Sequence, residues 1–109
     1  MKTLKDKIIV ITGASSGIGE AMARQYAAAG ARVVLGARQA DRLQRIVAEI
    51  RAAGGSAEWC AVDVTRPEEC RALIEKAAST FGGLDILVCN AGISMRALFD
   101  EVELDVLHR

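Results

Sequence analysis

The sequence is poor in the residues from which metal sites and disulfide frameworks are built. It has one histidine, His108, beside its last residue, and three cysteines, Cys60, Cys70 and Cys89. No two of these form a C-x-x-C pair, and an odd number leaves one unmatched in any disulfide scheme. Each lies in an apolar segment, so they read as free, buried, small hydrophobes, and His108 reads as a solvated helix residue. Neither sign of charge is in excess: 14 Lys and Arg balance 14 Asp and Glu. That removes any electrostatic case for nucleic acid or an acidic membrane as partner. No apolar run approaches the roughly 18 residues that a transmembrane helix needs. The N-terminal segment MKTLKDKIIVITG has lysines but no apolar h-region or cleavage site of a signal peptide. What remains is the expectation of one cytoplasmic globular domain, for which 109 residues at 51% hydrophobic suffice.

What the chain does have is a strict alternation of two patterns. Lys7–Ile11 (KIIVI) is a short β-branched run bounded by polar residues and glycine, a buried strand. Ile18, Ala21, Met22, Gln25, Tyr26 and Ala29 then recur at helical spacing and mark an apolar face, with Gly30 placed to stop the helix. ARVVLGA gives a second strand, and Leu43, Ile46, Val47 and Ile50 give one face of a second helix ended by Gly54-Gly55. AEWCAV is a third strand whose weak alternation fits a less enclosed position. Thr65 to Glu68 fits a capping box, with Thr65 as N-cap, Pro67 in the first turn and Glu68 reaching back. The helix it opens carries Cys70, Leu73, Ile74, Ala77 and Phe81 on one face and closes at Gly82-Gly83. LDILVC is a fourth strand, and the tail from Ser94 reads as the start of another helix. Four strands alternating with helices predict an α/β fold: a doubly wound parallel sheet covered on both faces, with right-handed crossovers. A ligand loop after the first strand predicts the strand order 3-2-1-4.

That loop is VITGASSGIGEA, Val10–Ala21. A helix beginning near Gly17 offers unpaired N–H groups and the positive end of its dipole, a natural seat for phosphate. A side chain at Gly13, Gly17 or Gly19 would obstruct the turn, the approach of a pyrophosphate or the packing of helix on strand. A Walker loop is excluded because Gly19 is followed by Glu20 and not by Lys. G-x-G-x-x-G is excluded too, because Met22 stands where the third glycine would be. The pattern that stands is Thr12-Gly13-x-x-x-Gly17-x-Gly19.

TGASSGIG (12–19), DV (63–64) and NAG (90–92), in this order and at these intervals, resemble the short-chain dehydrogenase/reductase family across essentially the whole chain. The resemblance implies a Rossmann-type NAD(P)-binding domain over residues 1–109, the N-terminal half of a longer domain, cut after the fourth strand and the start of the next helix. It implies that Gly13, Gly17, Ile18 and Gly19 cradle the pyrophosphate, and that Ser15 and Ser16 offer hydroxyls to the adenosine ribose or its phosphate. Asp63 would take the adenine amine, or else serve as a turn aspartate before Thr65, and the Val64 backbone would lie along the ring. Asn90, Ala91 and Gly92 would meet the nicotinamide side at the carboxyl edge of the sheet, Asn90 also closing the strand by a hydrogen bond.

Cofactor choice in such a fold falls to the end of the second strand, about 20 residues past the loop, where an acid would bond a ribose 2′-OH and repel a 2′-phosphate. Here the chain reads Gly36-Ala37-Arg38, and a guanidinium suits a phosphate. With Ser16 where the family often places a base, the charge rests on Arg38 alone, and NADP(H) is expected over NAD(H).

The family's chemistry is hydride transfer between nicotinamide and an alcohol or ketone, with a Tyr acid/base whose pKa is lowered by a Lys four residues on. The chain's one tyrosine, Tyr26, is followed at that distance by Gly30 and belongs to the first helix's apolar face. No catalytic residue is therefore assigned. Two expectations stand side by side: the cofactor-binding part of an oxidoreductase, or a nucleotide-binding module without catalysis. In the first, a small carbonyl or alcohol substrate is met only by a longer chain. With strand five absent, strand four would also be an open edge capable of self-association.

Overall fold

In a computed structural model of the chain, the residues described are 4–14, 17–63 and 65–89. The elements run β1 (Ile8–Thr12), α1 (Gly17–Ala28), β2 (Arg32–Ala37), α2 (Ala40–Ala52), β3 (Ser56–Ala61), α3 (Pro67–Phe81) and β4 (Ile86–Cys89). All pairings are parallel and the sheet order is β3-β2-β1-β4, as the alternation predicts. The tail helix expected from Ser94 lies outside the described residues.

Both faces of the sheet are covered, which is why β1 reads as an unbroken apolar run. Successive side chains of a strand point to opposite faces. Ile9, Ile11, Val33 and Leu35 pack under α1 and α2 with Ala23, Ala27, Leu43, Ile46, Val47 and Ile50. Ile8, Val10 and Val34 pack on the other side under α3, with Cys70, Leu73, Ile74 and Ala77. The faces read for α2 and α3 are therefore the buried ones, with Phe81 half-buried at the margin.

The face read for α1 is corrected. Its buried residues are Gly19, Ala23 and Ala27, while Ile18 is 71% exposed and Ala21, Gln25 and Ala29 are also exposed. Tyr26 is half-buried against the core. The physical reason is size: a stripe of small residues at i, i+4 and i+8 lets the helix lie close on the sheet, and larger side chains flank the contact.

The capping box is also corrected. The N-cap of α3 is Arg66, with no side-chain cap bond, and Pro67 opens the helix. The carboxylate that reaches back belongs to Glu69, whose Oε1 accepts the Asp63 N–H at 2.7 Å. Thr65 instead donates its hydroxyl to Asp63 Oδ1 at 2.6 Å. Competition decides this: the Asp63 carboxylate lies two residues away and outbids the helix for the Thr65 side chain. None of the three cysteines is in a disulfide; only Cys70 is fully buried, and Cys60 and Cys89 are half-buried. Burial pushes the Cys60 and Cys70 thiols up.

At the amino edge, Asp85 joins β4 to β1: its Oδ2 accepts the Ile8 N–H at 2.8 Å and its own N–H donates to Ile8 O at 2.9 Å. β4 begins one residue later, shorter than the apolar run from Leu84.

Candidate functional site

The chain adds β2 and β3 on one side of β1 and then crosses to add β4 on the other. This reversal leaves a crevice at the carboxyl ends of β1 and β4, the place where open α/β sheets bind ligands. Thr12 and Cys89 are register partners there. Thr12 is completely buried, and its hydroxyl donates to Val88 O at 3.4 Å, tying the two strands at the crevice.

Gly13 leaves β1 with φ +65°, a conformation that L side chains rarely adopt. Ala14 is wholly buried, and its N–H donates to Gly36 O at 3.4 Å, so the loop is pinned at its start to β2. α1 then begins at Gly17 and aims its first-turn N–H groups at this edge. Among the described residues, a Cβ built at Gly17 meets nothing within 4 Å, so none of their atoms explains the glycine. An open glycine at a helix N-terminus fits an anionic group lying against the backbone. Gly19, two residues on, is buried.

Glu20 would set a negative charge beside that anion, but two arginines neutralise it. Arg24 lies 3.0 Å from its Oε2 and Arg42 of α2 lies 3.5 Å from its Oε1. Arg24 also reaches Glu49 at 2.6 Å, and chiefly through that hydrogen bond its pKa is raised. The charges are satisfied across α1 and α2, leaving the helix N-terminus as the local positive field.

Arg38 and Asp63, 25 residues apart, meet at the ends of β2 and β3. Arg38 Nη2 donates to Asp63 Oδ2 at 3.0 Å, and the Arg38 side chain remains 71% exposed. Asp63 Oδ1 accepts both the Thr65 N–H, at 3.0 Å, and its hydroxyl. These two Thr65 bonds, with Arg38 adding to them, hold the Asp63 carboxyl down at about 2. Asp63 therefore does form the turn before Thr65 while keeping its second oxygen directed to the neighbouring strand. One residue of this edge went unassigned in the sequence. Arg66 Nε stands 3.8 Å from Asp63 Oδ2 and 3.7 Å from Glu69 Oε2, so Arg38 is not the one guanidinium at this edge. Only the position of Arg66, just ahead of Pro67 and three residues past Asp63, could have pointed to it.

Among the predicted site residues, Gly13, Gly17, Ile18, Gly19, Arg38 and Asp63 all lie on this one edge. Ser15, Ser16, Val64, Asn90, Ala91 and Gly92 lie outside the described residues. A separate depression of about 430 Å³ opens between the C-terminal ends of α1 and α2, lined by Arg24, Ala27, Glu49, Ile50 and Gly54 among others. It is at the amino edge, away from the crevice, and its two charged residues are paired with each other.

A parallel sheet with this order, a positive-φ glycine after β1 and an open glycine at the first helix N-terminus define a dinucleotide-binding α/β domain. Residues 7–109 match the family model described as short chain dehydrogenase, and the chain belongs to that family. An uncharacterized oxidoreductase of Listeria innocua is 47% identical over 84% of this chain and 37% of its own length. The L-sorbose reductase of Gluconobacter frateurii, solved with NADPH and L-sorbose, superposes with a TM-score of 0.78 at 47% identity, over 84% of this chain and 35% of that one. A 7α-hydroxysteroid dehydrogenase solved with NADH and 7-oxo glycochenodeoxycholic acid gives a TM-score of 0.90 at 32% identity, over 95% of this chain and 49% of that one. The chain thus spans half or less of the length of these relatives, and what it matches is the family's dinucleotide-binding half. The family is one of NAD(P)-dependent oxidoreductases. Among the described residues, no helix is long and apolar enough to cross a membrane.

Proposed function

We propose that this chain holds NADP(H) for an oxidoreductase that moves hydride between the nicotinamide and an alcohol or ketone. The observation that carries the cofactor choice is Arg38: at the end of β2 an exposed guanidinium stands directly after Ala37, where an acid would select a free ribose 2′-OH. Relatives solved with NADPH and with NADH both exist, so the choice rests on this chain's own residues.

In this reading the N–H groups of Gly17, Ile18 and Gly19 hold the pyrophosphate, and Gly13 provides the turn that brings the chain to it. Ser15 and Ser16 bond the adenosine ribose or its phosphate, and Arg38 binds the 2′-phosphate. Asp63, ionised and fixed by Thr65, accepts the adenine amine, and the Val64 backbone flanks the ring. Asn90, Ala91 and Gly92 border the nicotinamide half. Bound NADPH supplies the hydride; this stretch of chain binds and orients it and contributes no acid/base. Tyr26, half-buried on α1 with Gly30 four residues on, has no role in proton transfer. The substrate's carbonyl would be met by residues beyond those that match here.

Titrating the purified chain with NADP(H) and NAD(H), followed by energy transfer from its single tryptophan, Trp59, to the reduced nicotinamide or by calorimetry, tests the reading. Tighter binding of NADP(H) is expected, and equal curves for the two cofactors would refute the assignment of Arg38.

A further inference from the structure

The pair formed by Arg38 and Asp63 joins two groups that the proposed site gives to two different parts of one ligand. Asp63 has two carboxylate oxygens, and their duties differ. Oδ1 already accepts two bonds from Thr65, its N–H at 3.0 Å and its hydroxyl at 2.6 Å. Oδ2 faces the Arg38 Nη2 at 3.0 Å, with the Arg66 Nε farther off at 3.8 Å. A donor arriving from a purine must therefore use Oδ2, where Arg38 stands. The Thr65 bonds fix the carboxylate, whereas Arg38 is a long side chain with 71% of its surface exposed. Arg38 is thus the partner free to move.

From this we infer that the Arg38–Asp63 ion pair is a latch that opens when the dinucleotide binds, Arg38 passing to the 2′-phosphate and Asp63 Oδ2 to the adenine amine. The inference rests on the cofactor reading above and adds a consequence to it. A ligand with only one of the two groups breaks the pair and leaves one partner to water. A ligand with both breaks it once and satisfies both partners. The amine and the phosphate consequently bind cooperatively, and the coupling equals the strength of the pair that each would otherwise have to break.

The test uses four dinucleotides on the purified chain at low salt: NADP⁺, NAD⁺ and their counterparts carrying 6-unsubstituted purine, which lacks the amine and puts no oxygen in its place. The ratio of the NAD⁺ to the NADP⁺ dissociation constant should be about two- to fivefold larger with adenine than with purine, the range that an exposed ion pair reaches. It should shrink toward no difference at high salt. In Asp63→Asn, which keeps an acceptor for the Thr65 turn, the two ratios should coincide, and they should coincide again in Arg38→Ala. Equal or reversed ratios in the unsubstituted chain, with NADP⁺ still preferred, would overturn the latch and leave the cofactor reading standing, since Oδ2 would then serve both donors together. No preference for NADP⁺ with either base, or no binding of any of the four, would overturn the cofactor reading and the latch with it.

Discussion

Replacing Gly36 with alanine probes how tightly α3 is seated over the carboxyl edge of the sheet. A Cβ at this position would lie 2.6 Å from Leu73 Cδ2, 3.1 Å from Leu73 Cδ1 and 3.3 Å from Val62 Cγ2. Leu73 is completely buried and Val62 nearly so, so neither can rotate out of the way. Overpacking of this kind costs about 1–3 kcal/mol. Against it stands the roughly 0.5–1 kcal/mol gained by replacing glycine in a strand interior. Midpoint against midpoint, the net loss is about 1.25 kcal/mol, which at roughly 4–8 °C per kcal/mol for a domain near this size lowers Tm by about 5–10 °C. Thermal and urea melts of the chain and of Gly36→Ala measure it. Combining Gly36→Ala with Leu73→Val should cost less than the sum of the two single changes, because the contact is shared. A Gly36→Ala melt at or above that of the unsubstituted chain would show that Leu73 and Val62 yield to the added methyl and that the strand's backbone gain outweighs the contact.

Three further outcomes follow from the same geometry. Because the Asp63 carboxyl sits at about 2 in the folded chain and near 4 when unfolded, its stabilising contribution is complete above about pH 4. It is lost as the pH falls from there toward 2; acid melts of Asp63→Asn should show a shallower decline over that interval, and parallel curves would contradict the assignment. β4 pairs only with β1 among the described residues, and Ile86 is 38% exposed, so light scattering with size exclusion should show concentration-dependent self-association of the isolated chain; a monodisperse monomer at all concentrations would show that this edge is covered. Because Gly30 and not Lys stands four residues after the one tyrosine, Tyr26, NADPH consumption by the purified chain should stay at background with diketones, quinones, aldehydes and steroids, and turnover abolished by Gly17→Trp would reveal another acid/base in the chain.

The sheet order, the glycine turn after β1 and the buried faces of α2 and α3 were legible in the sequence because each follows from a strong periodicity or an unambiguous glycine. Continuous β-branched strands imply two covered faces, and a glycine loop after the first strand implies the reversal point. The face of α1 was not legible, because its contact with the sheet is made by Gly19, Ala23 and Ala27, whose small size, rather than apolar bulk, is what the packing selects. The start of α3 was misread because Thr65 and Glu68 satisfy a capping pattern that the nearby Asp63 disrupts by capturing the Thr65 hydroxyl. The meeting of Arg38 with Asp63 is a tertiary fact. Each residue could be assigned separately from its strand end, but the parallel register of β2 on β3, Ala37 against Ala61, is what brings their side chains together.

Whether Arg38 makes this edge an NADP(H) site is decided by one cycle of titrations. NADP(H) and NAD(H) are titrated into the unsubstituted chain and into Arg38→Ala, whose exposed side chain can be removed without opening the core. NADP(H) should bind more tightly than NAD(H) to the unsubstituted chain. Arg38→Ala should weaken NADP(H) by about 1.5–3 kcal/mol, the worth of a charge-assisted contact, while changing NAD(H) far less. An equal loss for both cofactors, or no preference to lose, would contradict it.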